Sequence, residues 1–316
     1  MISRRIIRTK VLQILYAYYS SDEESLSKHE KELFFSLKKS YDLYHYLFLL
    51  VIEIADYAEK KIEIKKSKLR PTEEDLNPNM KFVSNRMIDS LRRNKSLNLY
   101  LKQTKLSWVN NPGLIKILYS RLAESDFYRE YMADADNSFA NDRKMVDQMF
   151  SRLIAGCEEL HQILEEQSIY WNDDVEFSIM MISKTLKRFS VVSDENQPLL
   201  PMFKDEEDRR FAKDLFRKSI VNHNDIRGII DEHSRNWDIE RIAFVDILIM
   251  QMALAEFMFF PSIPTKVTLN EYIELSKYYS TEKSRNFING ILDKALRDLR
   301  NEGKIKKTGR GLIGES

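Results

Sequence analysis

Residues 244–260 read FVDILIMQMALAEFMFF. Asp246, Gln251 and Glu256 are the polar positions in it, so a helix built from this stretch is apolar on nearly all faces. Such a helix must be enclosed by other elements. We therefore expect a helix over residues 239–259 to be the buried centre of the fold, ended by Pro261 and Pro264.

The composition around it agrees. The chain has 316 residues, 43% hydrophobic and 31% charged, enough for one large domain or two modest ones. Only 8 Gly and 7 Pro occur, and both break helices, so their scarcity favours long helices and an all-α fold. The 50 Lys+Arg and 49 Asp+Glu nearly cancel, so any basic surface must come from local clustering. Cys157 is the single cysteine, which excludes an internal disulfide or a Cys-rich zinc site; it reads as a buried, inert thiol. No segment reaches the roughly 20 apolar residues that span a bilayer, and the start lacks a secretory pattern. A cytoplasmic protein without a membrane association is expected.

Working outward, residues 3–19 place Ile7, Val11, Ile14, Leu15 and Tyr18 on one helical stripe. Residues 25–66 read as one long helix or two in sequence, with Ser25 as a plausible cap and a Lys-rich end stopped by Pro71. Further helices are predicted near 80–105, 113–133, 138–168 and 173–190. Residues 191–204, VVSDENQPLLPMFK, look like a connector. A helix over 205–232 opens with Asp205, Glu206, Glu207 and Asp208, which suits the helix dipole. Thr268–Glu271 fits a capping box, with Val267 and Tyr272 as a hydrophobic staple, for a short helix running to about Tyr279. A last helix over 282–302 carries Phe287, Ile288, Ile291, Leu292, Ala295 and Leu299 on one face, and Gly303 caps it. The basic tail after it is expected to be flexible.

Enzymatic chemistry is not signalled. The five histidines form no H-x-x-x-H or H-E-x-x-H pair, and no G-x-S-x-G, G-x-x-x-x-G-K-[ST] or G-x-G-x-x-G occurs. No enzyme activity, cofactor or metal is expected. The first helix is more informative. Arg5, Thr9, Leu12 and Tyr16 share a face opposite the apolar stripe, with Gln13 beside them, Arg8 on the flank, and Arg4 and Lys10 nearby. Cations at a helix start oppose its dipole. Arginine forks bind phosphate and tyrosine stacks on unpaired bases, so the set reads either as a nucleic-acid contact or as an ordinary basic helix end. A second concentration is STEKSRNF at 280–287. Lys283, Arg285 and Asn286 in the first turn of the last helix read either as an anion site or as plain capping by Ser280 or Thr281.

These segments carry a family resemblance. RRIIRTKVLQILY at 4–16 resembles the arginine-rich first helix of the NusB transcription antitermination factors. RIAFVDILIMQMALAEF resembles the family's central helix, with its acidic position and late Ala-x-x-Glu. IPTKVTLNEYIELSKYYSTEKSRNFINGILDKAL resembles the signature Pro-x-Lys-Val-x-Ile-Asn-Glu, then Glu-Leu-x-Lys, then Ser-x-x-Phe-Val-Asn-Gly-Val-Leu-Asp. The likeness covers about residues 3–20 and 205–300. It implies a pair of packed helical bundles and an RNA-binding adaptor. Such an adaptor pairs with the small-subunit ribosomal protein also called NusE, binds boxA RNA and acts within the RNA polymerase antitermination complex, notably on ribosomal RNA operons. It implies RNA contacts by Arg4, Arg5, Arg8, Gln13 and Tyr16, and by Ser284 and Phe287. Lys10, Lys283 and Arg285 join them as neighbouring candidates, and Asp246 matches a contact to NusE. Asn270, Glu271, Asn289 and Gly290 match signature positions read as structural, with Gly290 expected to allow close helix packing.

The chain departs from the family in three ways. Family members are about half as long. Gln251 stands where they carry an arginine, and Lys283 where an acidic residue is common. The expected layout is N-terminal helices over 1–70, a helical insertion or enlarged bundle over 71–200, a NusB-like bundle over 201–303 and a flexible basic tail over 304–316. Two other readings are a helical protein-interaction scaffold without RNA binding and a module related to RNA cytosine methyltransferases. The latter needs a Rossmann-like domain, which no segment after residue 300 supplies.

Overall fold

The central helix is surrounded as its sequence demands. A computed structural model describes residues 1–22, 25–234 and 242–314; the start of the helix expected from residue 239 and the last two tail residues lie outside the described residues. In chain order the α-helices are α1 (Arg4–Ser20), α2 (Leu26–Lys66), α3 (Glu73–Leu76), α4 (Arg86–Arg93), α5 (Lys95–Thr104), α6 (Pro112–Glu124), α7 (Asp126–Ala133), α8 (Phe139–Gln148), α9 (Glu158–Gln167), α10 (Val175–Leu186), α11 (Glu206–Val221), α12 (His223–His233), α13 (Phe244–Phe259), α14 (Thr265–Tyr279) and α15 (Glu282–Asn301). No strand occurs among the described residues, so the fold is all-α.

The chain divides into two compact units. A middle unit holds Lys38–Met202 with Met1, and an outer unit holds Ile2–Leu37 and Phe203–Ser316. The continuous helix α2 starts in the outer unit and continues into the middle one.

In the outer unit, α13 is packed by α1, α11, α12, α14 and α15. Every residue from Asp246 to Phe257 is buried, polar ones included. The expected helix over 205–232 is two helices, because the chain turns at Asn222. The expected capping box does not form. Helix α14 begins a turn earlier, at Thr265, and Thr268 lies inside it. The Thr268 hydroxyl donates to Glu256 Oε1 at 2.7 Å, so a buried carboxylate's need for donors overrides a local capping signal. The staple is absent too, since Val267 is exposed while Tyr272 is fully buried. Gly303 does close α15, in a left-handed conformation at φ 68°. The tail expected to be flexible is instead seated on this unit. The Thr308 amide donates to Pro261 O at 2.9 Å, and Lys307 Nζ to Phe260 O at 3.0 Å. Gly311 lies so close to Pro261 that an added Cβ would sit 1.9 Å from its carbonyl oxygen.

In the middle unit the longer helices read from periodicity are broken into shorter ones. Asn94 divides 80–105, Ser125 divides 113–133, and a π-helical turn over Met149–Ile154 interrupts 138–168. Asparagine side chains hold some of these ends. Asn85 Oδ1 accepts from the amides of Met87 and Ile88, and Asn94 Oδ1 from that of Leu97. Trp108 stacks flat on Tyr46 at 3.8 Å and donates its indole N–H to Tyr46 O. Cys157 is buried as expected, and burial pushes its thiol up.

Candidate nucleic-acid interface

Helix α1 presents its arginines to carboxylates at increasing depth. Arg4 bridges Asp208 Oδ1 at 2.8 Å and Glu207 Oε1 at 2.7 Å, both in the acidic first turn of α11. Arg5 grips both oxygens of Glu271 on α14, at 3.0 and 2.8 Å. Arg8 grips both oxygens of Glu256 on α13, at 2.8 and 2.7 Å, and lies 3.6 Å from Glu271. Glu256 also accepts from Thr268 and, at 3.1 Å, from Tyr272 Oη. The Arg8 guanidinium lies 5.1 Å from the Phe211 ring centre and 5.7 Å from that of Tyr272.

The electrostatics follow the burial. Burial works against the Arg8 charge, but the charge and hydrogen bonds of Glu256 outweigh it and hold the guanidinium above its ordinary pKa. Tyr272 is pushed well up by burial and by the neighbouring Glu256. Burial would raise Glu271, yet Arg5 and Arg8 together hold it below the usual carboxylate range. The side-chain exposures are 29% for Arg4, 54% for Arg5 and 4% for Arg8. An exposed ion pair contributes about 0–1 kcal/mol, so an incoming phosphate can replace its carboxylate. Breaking a buried pair costs about 3–5 kcal/mol. Arg5 is therefore available to a ligand, Arg4 partly, and Arg8 is part of the core.

The face of α1 opposite its apolar stripe is mostly covered. Thr9 and Leu12 are buried, as is Lys10. Only the two ends of that row, Arg5 and Tyr16, are exposed. They lie eleven residues apart, close to three turns along one side. Tyr16 is 50% exposed and packs on Phe244 at the start of α13, rings 5.6 Å apart. Gln13 donates to Tyr279 Oη at 3.0 Å, at the end of α14. Two residues from Phe244, Asp246 is buried and accepts from the Ser280 hydroxyl. The second half of α1, the start of α13 and the α14–α15 junction thus meet.

At that junction Thr281 caps α15. Its hydroxyl accepts from the Ser284 amide at 3.2 Å and donates to Ser284 Oγ at 3.0 Å. Lys283 is exposed, and Arg285 is half-buried beside Glu282 at 3.4 Å. Phe287 turns inward and is 8% exposed. Gly290 does not serve close packing: it is exposed, and an added Cβ would meet nothing within 4 Å. In the last turn of α1, Tyr19 Oη accepts from Gln251 at 2.9 Å, and Gln251 also donates to Ser219 O at 2.7 Å. Sequence reasoning missed Phe244, Tyr279 and the carboxylate partners. Glu256 was the detectable one, because a carboxylate deep in an apolar stretch requires a buried cation or several donors.

Comparison with known proteins covers the C-terminal part of this arrangement. The NusB family model matches residues 184–297. The transcription antitermination protein NusB of Salinibacter ruber is 43% identical over 115 residues, 36% of this chain and 72% of that protein. The chain belongs to the NusB family. The NusB proteins of Chloroherpeton thalassium (40% over 103 residues, 33% of this chain and 49% of that protein) and Koribacter versatilis (42% over 102 residues, 32% and 70%) are also similar. No solved structure matches. The NusB match runs from the end of α10 through α11–α14 and into α15, leaving α1–α9 outside it. Among the described residues no cluster of three or more His, Cys, Asp or Glu is placed to hold a metal, and no helix is long and apolar enough to cross a membrane.

Proposed function

We propose that this NusB-family chain is a non-enzymatic RNA-binding adaptor of transcription antitermination. It pairs with ribosomal protein NusE, binds boxA-like single-stranded RNA and supports ribosomal RNA operon transcription. One observation carries the reading: an arginine fork gripped only at the surface, Arg5, shares one side of α1 with a half-exposed tyrosine, Tyr16. The fork suits a phosphate and the ring suits an unstacked base. Arg4, Gln13, Lys283, Ser284 and Arg285 extend the contact. Arg8, Lys10 and Phe287 support it from beneath. Asp246 marks the NusE contact, with exposed Phe244 as its accessible neighbour.

A second reading, a protein-interaction scaffold without RNA binding, is favoured by a different fact. All three arginines are already paired with carboxylates. Binding of a boxA-like single strand to the full chain, with and without NusE, separates the two. The adaptor reading expects binding that the Arg4→Ala/Arg5→Ala variant weakens about tenfold or more, equivalent to about 1.4 kcal/mol or more. Equal binding by that variant favours the scaffold. Phe244→Asp is expected to reduce NusE capture and leave the circular dichroism spectrum unchanged; undiminished capture removes this surface from the interface.

A further inference from the structure

The middle unit, of which the family match covers only residues 184–202, holds a pocket between α2, α5 and the segment after α10. Its volume is about 280 Å³, and Tyr41, His45, Leu99, Tyr100, Gln103 and Leu199 line it. His45 is 2% exposed and stacks on Tyr100, ring centres 3.8 Å apart and 14° from parallel. Its Nδ1 lies 2.9 Å from Tyr41 O, which accepts and therefore fixes the proton on Nδ1. Burial holds the imidazole down to about 4, so it is neutral near pH 7. Nε2 is then a bare acceptor in a buried ring that lines the pocket, with no hydrogen-bond partner among the described residues.

The walls are fixed before any ligand arrives. Asn94 Nδ2 donates to Gln197 O at 2.8 Å, and the Lys95 amide to Glu195 O at 2.8 Å. Tyr41 Oη donates to Leu200 O at 2.7 Å. Tyr100 Oη donates to Asp42 at 2.7 Å, which holds that ring against His45. Pockets for whole drug-sized ligands run to roughly 300–1,000 Å³. This one falls just below that scale, which suits a single ring system.

We propose that this pocket takes one unstacked nucleobase, from single-stranded RNA or from a free nucleotide. A base N–H would donate to His45 Nε2, the Tyr and Leu walls would cover its faces, and the exposed Gln103 amide would meet its outer edge. The site is independent of the α1 interface. Fluorescence of 2-aminopurine, which falls when the base is enclosed by aromatic rings, tests it on the full chain. One arm uses 2-aminopurine riboside monophosphate, the other a short single strand carrying one 2-aminopurine. Quenching in the first arm assigns a free nucleotide, and quenching in the second alone assigns a strand; either upholds the pocket. Leu99→Trp, at a 58% exposed position on the rim, fills the mouth of the pocket and should weaken binding about tenfold or more. His45→Phe keeps the stack on Tyr100 and should weaken it comparably, while Arg4→Ala/Arg5→Ala should leave the riboside arm unchanged. No quenching in either arm, or quenching that Leu99→Trp leaves intact, overturns the proposal. So does binding of N-acetyltryptophanamide without binding of either aminopurine probe.

Discussion

Arg5 and Arg8 make the same bidentate contact to glutamate, and depth alone separates their roles. Arg8→Ala leaves Glu256 buried without its cation and is expected to cost about 3–5 kcal/mol. Arg5→Ala, at a surface pair, is expected to cost under about 1 kcal/mol. Urea unfolding of the two variants measures the difference directly. Two titrations have opposite depth but the same sign. Glu271 has a depressed folded pKa, so its contribution is present above its unfolded value of 4.5 and is lost as pH falls through the lower folded value. His45 resists protonation in the folded state, so the unfolded chain takes up that proton first. Its contribution is whole above pH 6.5 and declines between 6.5 and about 4. Hydrogen exchange as a function of pH is expected to show the middle unit weakening in the upper window. His45→Phe should remove that dependence, and Glu271→Gln should flatten the lower one in the outer unit. A gain in middle-unit protection on acidification from 6.5 to 5 would contradict this assignment.

At the scale of elements, α13 was legible because an all-round apolar helix has one place to go. The apolar stripe of α1 was legible too, but not its other faces. Thr9, Leu12 and Lys10 are covered because α11, α13 and α14 surround α1, and nothing in a single helix's periodicity reports how many neighbours it will have. Helix ends were the least legible. Thr268–Glu271 satisfies a local cap rule, yet Thr268 and Glu271 are spent on Glu256 and Arg5, residues remote in sequence. Gly290 shows the same limit from the other side. With open space around its missing Cβ, Gly290→Ala is expected to stabilise α15 by about 0.5–1 kcal/mol, through lost unfolded-state freedom and better helix propensity. Thermal unfolding would test it; a lower Tm would mean that the glycine has a packing role after all.

At the scale of the molecule, the NusB match covers residues 203–297 of the outer unit and only 184–202 of the middle unit, which carries most of the added length. The candidate site residues in the outer unit come from both ends of the chain, α1 and α13–α15. The middle unit offered no motif, because its pocket is built from a tyrosine and histidine on α2, residues on α5 and a loop near residue 199. None of those residues is unusual in its own segment. If accessible cations on α1 and α15 neutralise RNA phosphates, as proposed, binding to a boxA-like single strand must weaken as salt rises. For single strands the slope of log K against log salt is about −0.7 per phosphate contact. Arg4, Arg5 and Lys283 predict a slope near about −2, made shallower by about 1.4 in the Arg4→Ala/Arg5→Ala variant. A flat dependence, or the same slope in that variant, would contradict the account.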